Sequence, residues 1–196
     1  MVSRGGLIVD PGRFVDGASA SPGPSHDIPT VVEHVVLPRH WRFVLLRLCH
    51  TAGRHGASEE IAFERLPAVP PRVTERLHEV VREQMLPAAR AGETDRFGEA
   101  VFEYGVLAGE CFATQQSGAF ADSRVAELVR RIRGMGIRGV GQSSWGPTVF
   151  ALAGATDEAE RIVTKLRETY ARDELDAIVT SPSQWGAHVN FDVESG

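Results

Sequence analysis

Between Gly139 and Thr148 the chain reads Gly-Val-Gly-Gln-Ser-Ser-Trp-Gly-Pro-Thr. Gly139, Gly141 and Gly146 permit backbone conformations closed to bulkier residues, while Ser143, Ser144 and Thr148 add hydroxyls beside exposed N–H groups. Such a loop can cradle an anion or another polar ligand. A tight connection between strands that serves geometry alone is the alternative. Pro147 restricts Gly146 and directs the chain into the next strand.

Bulk properties narrow the chemistry. With 196 residues the chain is long enough for one domain with its own core. It is 42% hydrophobic and 24% charged, with a mean hydropathy of -0.14, which excludes disordered and fibrous classes. The net charge of -5 and pI near 5.8 give no electrostatic footprint for nucleic acid or an anionic membrane. No apolar run has transmembrane length and no signal-peptide core follows Met1, so a cytoplasmic location is expected. Cys49 and Cys111 stand in apolar stretches and form no Cys-x-x-Cys pair, which suits reduced core residues. Of the 21 basic residues only Lys165 is a lysine, so no Walker-type Gly-Lys-Ser/Thr loop exists. The seven histidines make no zinc-type cluster.

The elements that must position the loop follow from periodicity. Leu7 to Val9 is a short strand before the turn residues Asp10-Pro-Gly, and Ala18 to Pro29, rich in Ser, Pro and Gly, is an exposed and mobile loop. Val31 to Leu37 and Trp41 to Leu48 suit two strands separated at Pro38, the second buried on both faces. Pro70-Pro71 starts a helix whose Val73, Leu77, Val80, Val81 and Met85 share a face, with Pro87 ending or kinking it. A second helical face holds Phe97, Val101, Tyr104, Gly105, Ala108 and Phe112, although Gly98, Gly105 and Gly109 each cost about 1 kcal/mol there unless close packing offsets it. Asp122 or Ser123 caps a third helix, striped by Val125, Leu128, Val129 and Ile132 and stopped at Gly134. Ile137 to Val140 and Thr148 to Ala153 flank the loop as strands. Thr156 caps a helix carrying Ala159, Ile162, Val163 and Leu166, and Ala177 to Val179 and His188 to Val193 are further strands. Without regular βαβ alternation, the fold class is α+β, a two-layer domain with helices packed on a largely antiparallel sheet.

The string Gly139 to Leu152 also resembles the third signature of the GHMP kinases, the galactose, homoserine, mevalonate and phosphomevalonate group. Its Gln-Ser-Ser-Trp-Gly-Pro-Thr version is similar to the beta-ribofuranosylaminobenzene 5'-phosphate synthase subgroup of tetrahydromethanopterin biosynthesis. Arg4 to Asp10, Ser58 to Phe63 and Gln116 to Phe120 resemble further segments of that subgroup, so the likeness runs from about residue 4 onward. It implies a GHMP C-terminal-type domain over residues 31–196, with residues 1–30 a strand and loop from the N-terminal domain side. The principal phosphate loop of such proteins, Pro-x-x-x-Gly-Leu-Gly-Ser-Ser-like, does not precede Arg4, and the expectation is a C-terminal piece of a longer transferase.

The resemblance implies transfer of a phosphoribosyl group from phosphoribosyl pyrophosphate to a 4-aminobenzoate-type acceptor, with loss of carbon dioxide and pyrophosphate. Gly139, Gly141, Gln142, Ser143, Ser144, Gly146 and Thr148 would then face phosphate, and Trp145 would border the aromatic acceptor, ordinary packing being its alternative. A pyrophosphate substrate brings Mg²⁺, for which Glu59, Glu60 and Glu64 are candidate ligands against a plain solvated face. Gln115 and Gln116 either line a cleft or serve a helix end. Two other functions compete: an ATP-dependent kinase for a small metabolite, and a non-catalytic remnant or interaction domain. The partner expected is a small phosphate-bearing molecule, with neither nucleic acid nor membrane, and a homodimer is compatible.

Overall fold

The computed structural model describes residues 4–9, 31–49 and 57–186, with the backbone alone at 57, 58 and 60. Strands β1 (Leu7–Val9) and β2 (Glu33–Val35) form an antiparallel pair. The main sheet contains β3 (Arg42–Leu48), β4 (Val140–Gln142), β5 (Thr148–Ala153) and β6 (Leu175–Thr180) in the order β4-β5-β3-β6, every pairing antiparallel. Six α-helices are described: α1 (Ala57–Glu64), α2 (Pro71–Glu79), α3 (Leu86–Ala91), α4 (Thr94–Glu110), α5 (Ser123–Gly134) and α6 (Thr156–Arg167). This is the α+β arrangement that the periodicity predicts. The loop expected at Ala18 to Pro29 and the strand expected at His188 to Val193 lie outside the described residues.

Two apolar clusters hold the layers together. In the first, Val44, Leu46 and Leu48 of β3 join Val149 and Ala151 of β5 against the stripes Val125, Leu128, Val129, Ile132 of α5 and Ala159, Ile162, Leu166 of α6. Each Val, Leu or Ile among them contributes about 1.5–3 kcal/mol by leaving water, the alanines less. The second surrounds Trp41, which has no exposed surface and stacks at a tilt on Phe97, 5.1 Å between ring centroids. Leu152 of β5, Val35 of β2, Val80, Met85 and Leu86 are among its other members.

Several local expectations change. β3 is fully buried on one face and only partly on the other: Phe43 packs against the second cluster beside Leu152, Leu45 is half-buried, and Arg47 is exposed, where it pairs with Asp176 of β6 (2.6 Å). Pro87 does not end its helix. A π-helical turn at Val80–Met85 widens the backbone just before it, and α3 begins at Leu86 with Pro87 in its first turn, where a missing N–H costs least. The helix continues to Gly92, whose φ of 69° makes the left-handed stop. Asp122 caps α5 as expected, accepting from the amides of Arg124 (2.8 Å) and Val125 (2.9 Å). At α6 the capping position belongs to Ala155 instead of Thr156 and no side chain caps the helix; Glu158 instead accepts the amide of Gly154, one residue before the cap (2.6 Å). Cys49 and Cys111 are free and half-buried, outside both clusters.

Candidate functional site

The residues 139–148 do not form one uninterrupted loop. Val140 to Gln142 are strand, so the turn proper is Ser143 to Pro147 between β4 and β5. The Ser143 amide donates to the Thr148 carbonyl (2.8 Å) and the Gly146 amide to the Ser143 carbonyl (2.8 Å), which closes the hairpin. Two residues there adopt left-handed backbone, Gly146 (φ 70°) and Ser144 (φ 47°), and the Gly146–Pro147 peptide is cis. Gly139 and Gly141 answer a different need, close approach. A Cβ on Gly139 would stand 2.7 Å from Cβ of Leu152, and one on Gly141 2.6 Å from the Phe150 ring.

Gln142 sets the turn against the rest of the fold. Its Oε1 accepts the Ala121 amide (2.7 Å) and its Nε2 donates to the Ser144 carbonyl (2.8 Å). Trp145 then points inward and is only 5% exposed. It meets Phe112 edge-on at 4.8 Å and Phe63 at 5.4 Å, and those two meet each other at 6.0 Å, an edge-to-face trio.

This trio borders a cleft of about 580 Å³. β1 contributes Leu7 to Val9, the α4 side contributes Val101, Tyr104, Gly105 and Ala108, and the hairpin contributes Gly141, Gln142, Ser144, Trp145 and Phe150. Gln116 is also in the wall, its Nε2 donating to the carbonyls of Gly109 (3.2 Å) and Gly118 (3.0 Å). Gly139, Ser143, Gly146 and Thr148 do not line it. Gly105 explains why α4 tolerates a glycine with no packing need: a Cβ there meets nothing within 4 Å, because the helix faces open cleft. Gly98 and Gly109 are instead packed against backbone, at Gly139 and Ala119.

The sequence stripe on α4 therefore divides in two. Phe97 enters the core, whereas Val101, Tyr104, Gly105, Ala108 and Phe112 surround the cleft, a distinction that periodicity cannot make. Phe63, on a helix that the sequence reading treats only as an acidic segment, and Phe150 are likewise cleft residues without a prior signal. Arg133 ties α5 to α4 and to the segment ahead of β4. It binds both oxygens of Glu99 on α4 (2.8 and 3.0 Å), donates to the Arg138 carbonyl (2.7 Å) and lies 4.1 Å over the Phe102 ring. The Arg133 bonds hold the Glu99 carboxyl below the usual range against the opposing effect of burial.

Residues 85–172, from the end of the π turn to just past α6, match the family model described as GHMP kinases C terminal. The chain has the GHMP-kinase C-terminal fold. Solved structures agree with that fold: homoserine kinase from Cytophaga hutchinsonii ATCC 33406 (15% identity, 93% of this chain and 50% of that one, TM-score 0.57) and mevalonate diphosphate decarboxylase from Staphylococcus aureus (15%, 78% and 48%, 0.58). L. major mevalonate kinase in complex with R-mevalonate is similar too (14%, 81% and 48%, 0.51). The chain spans about half the length of these structures. No curated protein matches the sequence closely enough to count as a relative.

Among the described residues the cleft walls carry no Arg, Lys, His, Asp or Glu. Glu59 is half-buried on α1 and outside the lining, Glu64 is exposed, and the Glu60 side chain lies outside the description. Among the described residues no group of three or more His, Cys, Asp or Glu is placed to hold a metal. These walls do not fit Mg²⁺ as protein ligands, nor a triphosphate as a cationic cradle. They fit a compact, largely apolar molecule met by the Tyr104 and Ser144 hydroxyls, the Gln116 and Gln142 carboxamides being tied to backbone groups. No described helix is long and apolar enough to cross a membrane.

Proposed function

We propose that this chain supplies the acceptor-binding wall of a GHMP-type small-molecule transferase, with ATP-dependent phosphoryl transfer as the reaction class its structural relatives favour. The observation that carries the reading is the uncharged, aromatic-rimmed cleft between α4 and the β4–β5 hairpin. Phosphoryl transfer rests on positioning and electrostatics, and these walls supply positioning: Gly105 leaves room, Trp145 and Phe112 fix a face, and Ser144 offers a hydroxyl at the rim. ATP and Mg²⁺ then engage groups other than these walls. In this reading residues 1–30 belong with the N-terminal side of the fold and 31–196 with its C-terminal-type unit.

A second reading is favoured by a specific feature. The Gln-Ser-Ser-Trp-Gly-Pro-Thr string and the edge-to-face trio around Trp145 suit a planar acceptor of the 4-aminobenzoate type, which a phosphoribosyl transferase would couple to phosphoribosyl pyrophosphate. Titrating the full chain with mevalonate, homoserine and 4-aminobenzoate while following tryptophan fluorescence tests both. Saturable binding of an aliphatic hydroxyl compound, lost in Gly105→Leu, supports the kinase reading, and the same pattern for 4-aminobenzoate supports the second. Binding of none of the three overturns both assignments of the cleft.

A further inference from the structure

The sheet has a second feature on the face that borders the cleft. The register places Gly141 opposite Phe150, Phe150 opposite Leu45, and Leu45 opposite Ile178, so these four side-chain positions form one row across the sheet. Two residues along, Thr148, Arg47 and Asp176 form a parallel row on the same face. The first row starts in the uncharged cleft. Both rows reach a separate groove of about 490 Å³ whose lining includes Leu45 and Ile178 together with Arg47, Arg167 and Arg172. Ile178 is 63% exposed, so this groove is open to solvent.

The charge of this groove is unlike that of the cleft. Three guanidiniums stand against one carboxylate, that of Asp176; Arg47 binds it through Nε and Nη2, so the net positive charge comes from Arg167 and Arg172 and Arg47 keeps its Nη1. Arg167 is fixed by its Nη1, which donates to the carbonyls of Leu175 (2.6 Å) and Ala171 (3.3 Å). Arg172 is exposed and makes no ion pair or hydrogen bond among the described residues. Guanidinium groups bind phosphate oxygens in pairs, with a geometry that ammonium groups lack. Thr148 adds a hydroxyl.

We propose that this groove is a binding site for a small phosphate ester with a planar or apolar portion, the phosphate on Arg172 and Arg47 and the apolar portion on Leu45 and Ile178. The site is distinct from the acceptor cleft and does not require the chain to be a transferase. Phenyl phosphate is a suitable probe, titrated into the full chain by calorimetry, with phenol and inorganic phosphate run in parallel. The expected result is saturable binding of phenyl phosphate, at least tenfold weaker binding of each fragment, and a loss of at least tenfold in Arg172→Ala with unchanged melting temperature. Arg172→Lys recovers part of the affinity, and Gly105→Leu, which fills the cleft, leaves it unchanged. Absence of phenyl phosphate binding, or equal binding by Arg172→Ala, overturns the proposal. Loss of binding in Gly105→Leu overturns it also, by moving the phosphate ester into the cleft.

Discussion

Gly98 of α4 and Gly139 before β4 meet backbone to backbone: a Cβ on Gly98 would stand 2.5 Å from the Gly139 nitrogen and 2.8 Å from its Cα. No flexible side chain can yield there, so Gly98→Ala must push α4 away from the sheet. The helical preference of alanine returns about 1 kcal/mol, and overpacking of this kind costs about 1–3 kcal/mol. Gly105→Ala, two turns further along nearly the same side of α4, places its methyl in open cleft and keeps only the gain. We expect Gly98→Ala to lower the melting temperature and Gly105→Ala to raise it by about 2–4 °C per kcal/mol. Thermal unfolding by circular dichroism checks both, and equal signs for the two variants would contradict the packed and open surroundings assigned to the two ends of α4.

That pair also marks where the sequence is informative. Strict stripes such as Val125, Leu128, Val129 and Ile132 are readable because all four enter one core and Asp122 caps the helix with its own side chain. The stripe on α4 is not, because a cleft wall and a core face share the same apolar residues, and only the missing neighbour around Gly105 separates them. Pro87 misleads for a different reason: the π turn at Val80–Met85 relieves the clash that a proline makes with the preceding turn, and no local residue announces it. For the site, the motif leads to the hairpin, yet Gly139, Ser143, Gly146 and Thr148 are placed by backbone pairing and packing away from the cleft. Phe63 and Phe112 reach it through tertiary packing that spacing along the chain does not encode.

Gln142 is predicted to be the residue that orders the turn. Gln142→Ala removes the partner of the part-buried Ala121 amide and of the exposed Ser144 carbonyl, a loss of about 0.5–1.5 kcal/mol. Gln142→Glu separates the two bonds, since a carboxylate still accepts from Ala121 but repels the Ser144 carbonyl. Amide exchange at Ala121 should accelerate in the alanine variant and stay protected in the glutamate variant. Acceleration in both would place the hold on Ala121 elsewhere.

The Glu99–Arg133 pair predicts an acid-sensitive contribution. Arg133 lowers the Glu99 pKa in the folded state, so the pair's stabilisation is fully present above the ordinary glutamate range and is lost as pH falls through the lowered value. Glu99 is 49% exposed, which limits the effect to about 0.2–1 kcal/mol. Urea unfolding of the parent and of Glu99→Gln should therefore differ near neutrality and converge in acid. A difference that persists unchanged into acid would assign the loss to packing.

Ser144 gives the sharpest separation of stability from function. An L-residue in the left-handed region costs about 1–2 kcal/mol relative to ordinary backbone, and at φ 47° Ser144 carries that cost at the rim of the cleft. Ser144→Gly removes it but increases the freedom of the unfolded chain by about 0.5–1 kcal/mol, leaving a small net gain. Ser144→Val keeps the strain and adds a β-branched side chain that suits this region worse, so it is expected to destabilise. If the hydroxyl contacts the acceptor, the more stable Ser144→Gly protein binds it more weakly. Denaturation midpoints and acceptor titrations on the same preparations read both effects. A glycine variant that is more stable and binds as tightly as the parent would leave the left-handed serine without a part in the cleft.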